Sequence, residues 1–183
     1  MQAIDASAGS GPDSWLDWVG DSQLGAAMRG DLWLYPMVEV VHIIGFVVLV
    51  GSVVMFDLRV LGLSKEIAVT ALARHLLTWS ILALLLIVPA GLMMFSAHPH
   101  DFASNDIFIL KLCLIATAGL NAALFHVGVY RSVTQWNTGA AAPGIAKIQA
   151  LLSIGLWVSV VLCGRLLAYT LSLIHISEPT RPY

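Results

Sequence analysis

Long apolar runs separated by short polar stretches dominate this chain. Four runs, at about 35–58, 72–97, 107–133 and 145–170, each exceed the ~20 residues with which an α-helix crosses ~30 Å of hydrocarbon. None of them alternates apolar and polar residues as a membrane β-strand does. The pattern therefore predicts an all-α fold, a four-helix transmembrane bundle with up-down-up-down topology.

The chain ahead of the first run divides into two parts. Residues 1–12 are small and polar, which predicts a disordered N-terminus. After them, Trp15 and Trp18 lie opposite acidic side chains, which predicts a short helix at the membrane interface. Asp31 is predicted to cap the first spanning helix. We expect residues 13–170 to form a single membrane domain.

The end of the chain breaks with this pattern. Residues 171–183 read like the translation of a sequencing adapter, so we expect them to lie outside the natural fold, as a fusion scar does. On this interpretation His175 and the charged residues after it carry no function. The natural C-terminus is then expected near Tyr169.

Composition and charge narrow the class of protein. The chain is 58% hydrophobic and 11% charged, whereas soluble domains are about a quarter charged. No basic patch suited to nucleic acid is present, so the expected partner is the lipid bilayer.

Basic residues near membrane ends mark the cytoplasmic side, and most of the cations follow the first and third runs. Both termini are therefore predicted to lie outside. The cations on the cytoplasmic side are Arg59, Lys65, Arg74, Arg131 and Lys147, against Arg29, Lys111 and Arg165 on the other.

Three histidines, His42, His75 and His126, lie inside different apolar runs. An ionisable side chain in hydrocarbon is costly unless it faces a partner, a cavity or a cofactor, so these residues are the first candidates for function. His42 shares a helical stripe with Gly45 and Ser52, which predicts that it points into the bundle. Each histidine could also simply form a hydrogen bond between helices.

His75 and His126 are predicted to meet at one depth. His75 begins the second run and His126 comes late in the third, on helices predicted to run in opposite directions, which places both in the cytoplasmic half of the bilayer. Two facing imidazoles suit a six-coordinate b-type haem, and Arg74 and Arg131 could neutralise its propionates. The leading hypothesis is therefore haem b binding and membrane electron transfer, with a redox or membrane-complex partner.

A second site is predicted at the outer side of the membrane. His42 is predicted to lie there at the same membrane depth as Arg165 and as the loop that carries His98 and His100. His42 and His98 could hold a second haem, or the cluster could bind copper or zinc, since imidazoles suit both metals. An ordinary interfacial loop is the competing interpretation. Arg165 could bind an anion or a propionate, or could extend outward to the interface.

The chain also resembles an uncharacterised family of small bacterial four-helix membrane proteins, over about 13–170. The resemblance rests on the runs Trp33–Gly45, Gly51–Ser52, Asp57–Gly62, Leu120–His126 and Gly164–Tyr169. It implies the four-helix architecture and a bacterial inner-membrane location, but no established activity. It also implies a shortlist of functional residues: His42, Asp57, Arg59, Asn121, His126 and Arg165.

Other hypotheses belong to different classes. Asp57 and Arg59 are expected to pair at the cytoplasmic interface, and Asn121 needs its own partner. A non-redox accessory or transport subunit would instead use His42, Asp57, His126 and Arg165 as a buried polar path, since intramembrane acids and histidines can relay protons. An enzyme acting on porphyrin or quinone is the third hypothesis, although no nucleophile–base pair supports catalysis. The isolated Cys113 and Cys163 are expected to be packing residues.

Overall fold

The protein, described here by a computed structural model, is helical throughout its long apolar runs. The structure describes the backbone of residues 14–177 and the side chains of residues 15–169. The predicted disorder of residues 1–12 therefore lies outside the described residues. The helices are α1 (Ser14–Gly20), α2 (Gln23–Gly30), α3 (Leu34–Leu61), α4 (Val69–Ala97), α5 (Pro99–Ala103), α6 (Asp106–Val127) and α7 (Gly144–Ser177), with a 3₁₀-helix at Val129–Gln135.

Helices α3, α4, α6 and α7 are long and apolar enough to cross a membrane, which confirms the four predicted spans. The third span is shorter than predicted, because the helix ends at Val127 and not at residue 133. Gly128 leaves the helical region with φ −98° and ψ −96°, and the 3₁₀-helix follows. Its apolar Val133 is buried beneath the bundle, which explains why the apolar run outlasts the span. The fourth helix continues past the predicted residue 170 to Ser177.

The four long helices pack in the order α4, α3, α7, α6. Helix α3 packs along α4 and also against α7, while α6 packs chiefly on α7. Helices α4 and α6 meet where Phe95 stacks on Phe108, with ring centroids 5.9 Å apart, but are not packed along their length. Because Val38 and Ala97 share one cluster, and Val60 and Val69 share another, α3 and α4 run antiparallel.

Three apolar clusters divide the bundle into layers. The first lies at the end formed by residues 62–68 and 128–143, which we call the loop end. The second lies in the middle and includes Leu49, Trp157 and Val160. The third lies at the opposite end, beside α1, α2 and α5, which we call the α5 end. Charged groups inside the bundle can therefore lie only in the gaps that these layers leave.

Close contact between α3 and α4 depends on Gly45. A Cβ atom at this position would lie 2.8 Å from Cγ1 of Ile87, closer than carbon atoms approach in folded proteins. Small residues at helix interfaces allow this approach in membranes, where packing contacts drive association. The stripe predicted from Gly45 and Ser52 thus faces a neighbouring helix, and both residues are buried.

Short helices cover the α5 end, where the sequence predicted one interfacial helix and the structure has α1 and α2. Trp18 is 77% exposed on α1, so its ring does not pack in the bundle and is available to the membrane interface that the sequence predicted for it. The N-cap residue of α3 is Trp33, and not the predicted Asp31. Asp31 still binds the start of this helix from two residues earlier, because its Oδ1 accepts hydrogen bonds from the backbone N–H groups of Trp33 and Leu34 at 2.8 and 3.2 Å.

Candidate functional site

The Arg59 guanidinium is buried at the loop end, where it holds backbone carbonyls and not a carboxylate. Its Nε donates to the Ile67 carbonyl at 2.7 Å, and its Nη2 donates to the carbonyls of Lys65 and Asn137 at 3.0 and 3.1 Å. The predicted Asp57–Arg59 pair is therefore wrong. Two residues of helix separate these side chains by about 200° around the axis, so they point in different directions. Arg59 joins the α3–α4 connection to the α6–α7 connection.

Asn137 completes this junction from the α6–α7 side. Its Oδ1 accepts hydrogen bonds from the backbone N–H and the hydroxyl of Thr70, at 3.0 and 3.1 Å. Its backbone carbonyl accepts from the Val69 N–H at 3.0 Å as well as from Arg59. Because α4 begins at Val69, Asn137 pairs N–H groups that the first turn of a helix otherwise leaves open.

Asp57 lies inside the bundle, two residues before Arg59, with only 6% of its surface exposed. The Ser153 hydroxyl of α7 lies beside its carboxyl group. Its Oδ2 atom is fully buried and has no hydrogen-bond partner among the described residues. Buried polar atoms nearly always have a partner, so an orphaned carboxylate oxygen inside a membrane span is a candidate site for binding a proton or a ligand.

Gln149 supplies the other orphaned oxygen. Its Oε1 is fully buried and also lacks a partner among the described side chains. Gln149 lies one turn before Ser153 on α7, where side chains four residues apart are neighbours. Its backbone carbonyl accepts a hydrogen bond from Nδ2 of Asn121 on α6 at 3.1 Å, which gives Asn121 the partner that the sequence required. We call these four residues, Asp57, Asn121, Gln149 and Ser153, the Asp57 cluster.

His42 points into the bundle, as its stripe predicted, and is half-buried toward the α5 end. Its Nδ1 lies 3.1 Å from the Ile87 carbonyl of α4. A carbonyl only accepts, so Nδ1 carries a proton and donates it, while Nε2 forms no hydrogen bond with any of the described residues. Gly91 makes room for the ring, since a Cβ there would lie 3.2 Å from the His42 Cε1 atom.

The cation near His42 is Lys111 of α6, and not the predicted Arg165. Lys111 lies within electrostatic range of His42 and of Cys163. Its Nζ atom lies 3.8 Å from the position of a Cβ at Gly164. Arg165 is exposed on the outside of α7, because one further residue turns the side chain by about 100°.

His75 and His126 lie on the flanks of their helices. His75 comes one residue before the buried Leu76, and His126 one residue after the buried Phe125, so each points about 100° away from the core. Both are exposed; His126 donates from Nδ1 to the Ala122 carbonyl at 2.9 Å. His75 lies about 9 Å from the start of α4, and His126 about 1.5 Å from the end of α6. Because α6 stops earlier than predicted, His126 lies nearer to the end of its helix than the prediction assumed.

The polar groups of the bundle form two separate sites. His42 and Asp57 are about 22 Å apart along α3, and the middle apolar cluster lies between them, with Leu49, Trp157 and Val160 buried. Hydrocarbon packing of this kind gives no hydrogen-bonded route for a proton. The predicted continuous polar path through the bundle is thus interrupted in this structure.

The remaining predicted residues lie at the surface. His100 Nε2 lies 2.7 Å from Oδ1 of Asp17, and His98 Nδ1 lies 3.7 Å from Oδ2 of Asp101, so the two histidines face different carboxylates. The Asp17–His100 contact joins α1 to α5. Arg131 is exposed on the 3₁₀-helix.

Together these features define an integral membrane protein whose four apolar helices contact lipid, with exposed leucines such as Leu85 (68%) on the outside and a few polar groups within. A family model described as a family of unknown function, DUF6644, matches residues 15–170. The chain belongs to this family, as the resemblance in its sequence predicted. Searches of the curated proteins and of the solved structures gave no match.

Sequence reasoning missed three residues that the structure makes important: Gln149, Lys111 and Asn137. Gln149 and Lys111 each interrupt an apolar run, a signal that could have placed them beside the histidines. Asn137 gave no such signal, since asparagine is common in loops and its partners are far away in sequence.

Proposed function

We propose that this protein is a non-redox membrane protein, an accessory or transport subunit, whose bundle binds and releases a proton at Asp57. The observation that carries the proposal is the Oδ2 atom of Asp57, which is buried within a span and has no donor among the described residues. An ionised carboxylate left there would keep its charge in hydrocarbon without compensation, which costs several kcal/mol.

A single proton would satisfy both orphaned oxygens of the cluster. A protonated carboxyl group has one O–H donor, while the Oε1 atom of Gln149 needs one donor. Asp57 and Gln149 both neighbour Ser153, so an O–H group on Asp57 lies on the same side of α7 as this acceptor. The proton removes the charge and pairs the amide oxygen in one step.

A rotation of the Gln149 amide is the competing explanation. If Nε2 replaced Oε1, the amide would donate to Asp57 and the carboxylate could stay ionised. Infrared difference spectroscopy separates the two, because only a protonated carboxyl group has a carbonyl stretching band that shifts in D₂O. We expect this band in the wild-type protein at neutral pH and its loss in Asp57→Asn. The exposed Asp21 provides the matched control, since Asp21→Asn should leave the band unchanged. A wild-type spectrum without the band at any pH that preserves the fold refutes the proposal.

Haem b binding remains a second candidate, favoured by one observation at His126. Its Nδ1 donates to the Ala122 carbonyl, which leaves the Nε2 atom to bind iron; metal-binding histidines commonly donate their other ring N–H to a carbonyl in this way. Bound haem would supply one-electron chemistry, with His126 and His75 as ligands and Arg131 near the propionates. Because both histidines lie on the outer flanks, such a haem would lie against the bundle and not inside it. A Soret band in protein from haem-replete cells, lost in His126→Ala, supports this candidate; protein that shows no band after hemin is added excludes it.

A further inference from the structure

We infer that the Asp57 cluster also binds Na⁺, which enters as the proton leaves. This inference rests on the proposed function, because it assigns a second ligand to the same carboxyl group. The structural observation behind it is the Ser153 hydroxyl of α7 beside the buried Asp57 carboxyl group of α3, with the unpartnered amide oxygen of Gln149 one turn before Ser153 on α7.

The cluster offers hard oxygen ligands. Asp57 contributes a carboxylate, Ser153 a hydroxyl and Gln149 an amide carbonyl oxygen, and the oxygens of Asp57 and Gln149 that lack partners are free to bind. Oxygen-only sites suit hard cations, whereas imidazole and thiolate suit transition metals. Neither histidine nor cysteine belongs to the cluster, so a transition metal is not expected there.

Charge selects a monovalent ion. Asp57 is the one carboxylate in the cluster, and Arg59 close by is already engaged with backbone carbonyls. One Na⁺ would neutralise Asp57, as one proton does, and the site would stay neutral in both states. A divalent ion would leave a net charge of +1 inside the bundle, which the low dielectric constant disfavours.

The exchange balances one for one. In the protonated state, Asp57 holds the proton on one carboxyl oxygen; on exchange this O–H bond breaks, the proton passes to water and Na⁺ binds the carboxylate. Because the two ligands compete, apparent Na⁺ affinity should strengthen about tenfold for each unit of pH while the protonated form predominates.

The test is thermal unfolding of the purified full-length protein in detergent, with NaCl titrated against choline chloride at constant ionic strength. We expect Na⁺ to raise the unfolding midpoint of the wild type above that in choline, with half-maximal effect at about tenfold lower Na⁺ for each unit of pH increase. Asp57→Asn should remove the rise of the unfolding midpoint with Na⁺, while Asp21→Asn should keep this rise. If Asp57→Asn fails to fold, Gln149→Leu replaces it, since it removes an ion ligand and keeps the carboxyl group.

The outcomes separate the inference from the proposed function. Equal midpoints in Na⁺ and choline, with the infrared band of protonated Asp57 present, overturn Na⁺ binding and leave the proton site standing. A Na⁺ effect that survives both Asp57→Asn and Gln149→Leu overturns the inference as well, because the ion then binds elsewhere. KCl serves as a further arm: a midpoint in K⁺ equal to that in Na⁺ overturns the assignment to Na⁺. A wild-type protein that shows neither the infrared band nor the Na⁺ effect overturns the two together.

Discussion

Replacing Arg59 tests how the loop end is stabilised. Its side chain is 3% exposed and donates to three carbonyls, those of Ile67, Lys65 and Asn137. Arg59→Met keeps much of the aliphatic volume and removes every donor, so the three carbonyls lose a charged partner at once. Arg59→Lys keeps the charge but replaces the planar fork with a single ammonium group.

The magnitude follows from these three bonds. A hydrogen bond to a charged group contributes about 1.5–3 kcal/mol, which gives an upper sum of about 4.5–9 kcal/mol. The bonds share one guanidinium group and water can reach part of the junction after the change, so the sum is not additive. We therefore expect Arg59→Met to lower the free energy of unfolding by about 3–5 kcal/mol and Arg59→Lys by about 2 kcal/mol.

Reversible unfolding by SDS in mixed micelles, followed by tryptophan fluorescence, measures these differences. Arg131 gives the matched control: it is an exposed arginine of the neighbouring connection, so Arg131→Met should change the free energy of unfolding by no more than about 0.5 kcal/mol. Equal effects of Arg59→Met and Arg131→Met would show that the carbonyl contacts do not stabilise the bundle, and would refute the reasoning.

Other substitutions test packing and the surface. Gly45→Ala should lower the free energy of unfolding in SDS by about 1–3 kcal/mol, because its Cβ would lie 2.8 Å from Ile87. Gly155→Ala is the control, since no atom lies within 4 Å of a Cβ there, and equal losses for the two variants would contradict the close contact. Gly25→Ala should detach α2 from α4, since its Cβ would lie 2.7 Å from the Ser96 carbonyl. Limited proteolysis should then cut faster near α2, and an unchanged cleavage pattern would count against the prediction. Asp17→Asn should cost under about 1 kcal/mol, because its contact with His100 is exposed; a loss above 2 kcal/mol would mean that α1 stabilises the bundle.

The four spans were predictable because a helix that crosses the bilayer needs about 20 consecutive apolar residues, and such a run is visible in the sequence itself. The role of Asp31 at the start of α3 was predictable too, since the N–H groups that it binds are two and three residues away. The partners of Arg59 were not predictable, because Asn137 is distant in sequence and reaches Arg59 only when the α6–α7 connection folds back.

The candidate site was predicted in its residue types more than in its arrangement. Asp57, Asn121 and His42 have the buried polar contacts that their positions in apolar runs indicated. His126 lies nearer to the end of its helix than predicted, because the apolar residues after Val127 belong to a 3₁₀-helix whose Val133 packs in the loop-end cluster. Hydropathy alone does not distinguish these two ways of burying an apolar side chain.

The contacts around Asn137 also decide how the two halves of the bundle are joined. The α3–α4 hairpin and the α6–α7 hairpin are joined covalently through α5 at one end, and by the bonds of Arg59 and Asn137 at the other. Asp57 is two residues from Arg59, so the buried carboxyl group lies next to the end that side-chain hydrogen bonds connect, and not the end that the chain connects.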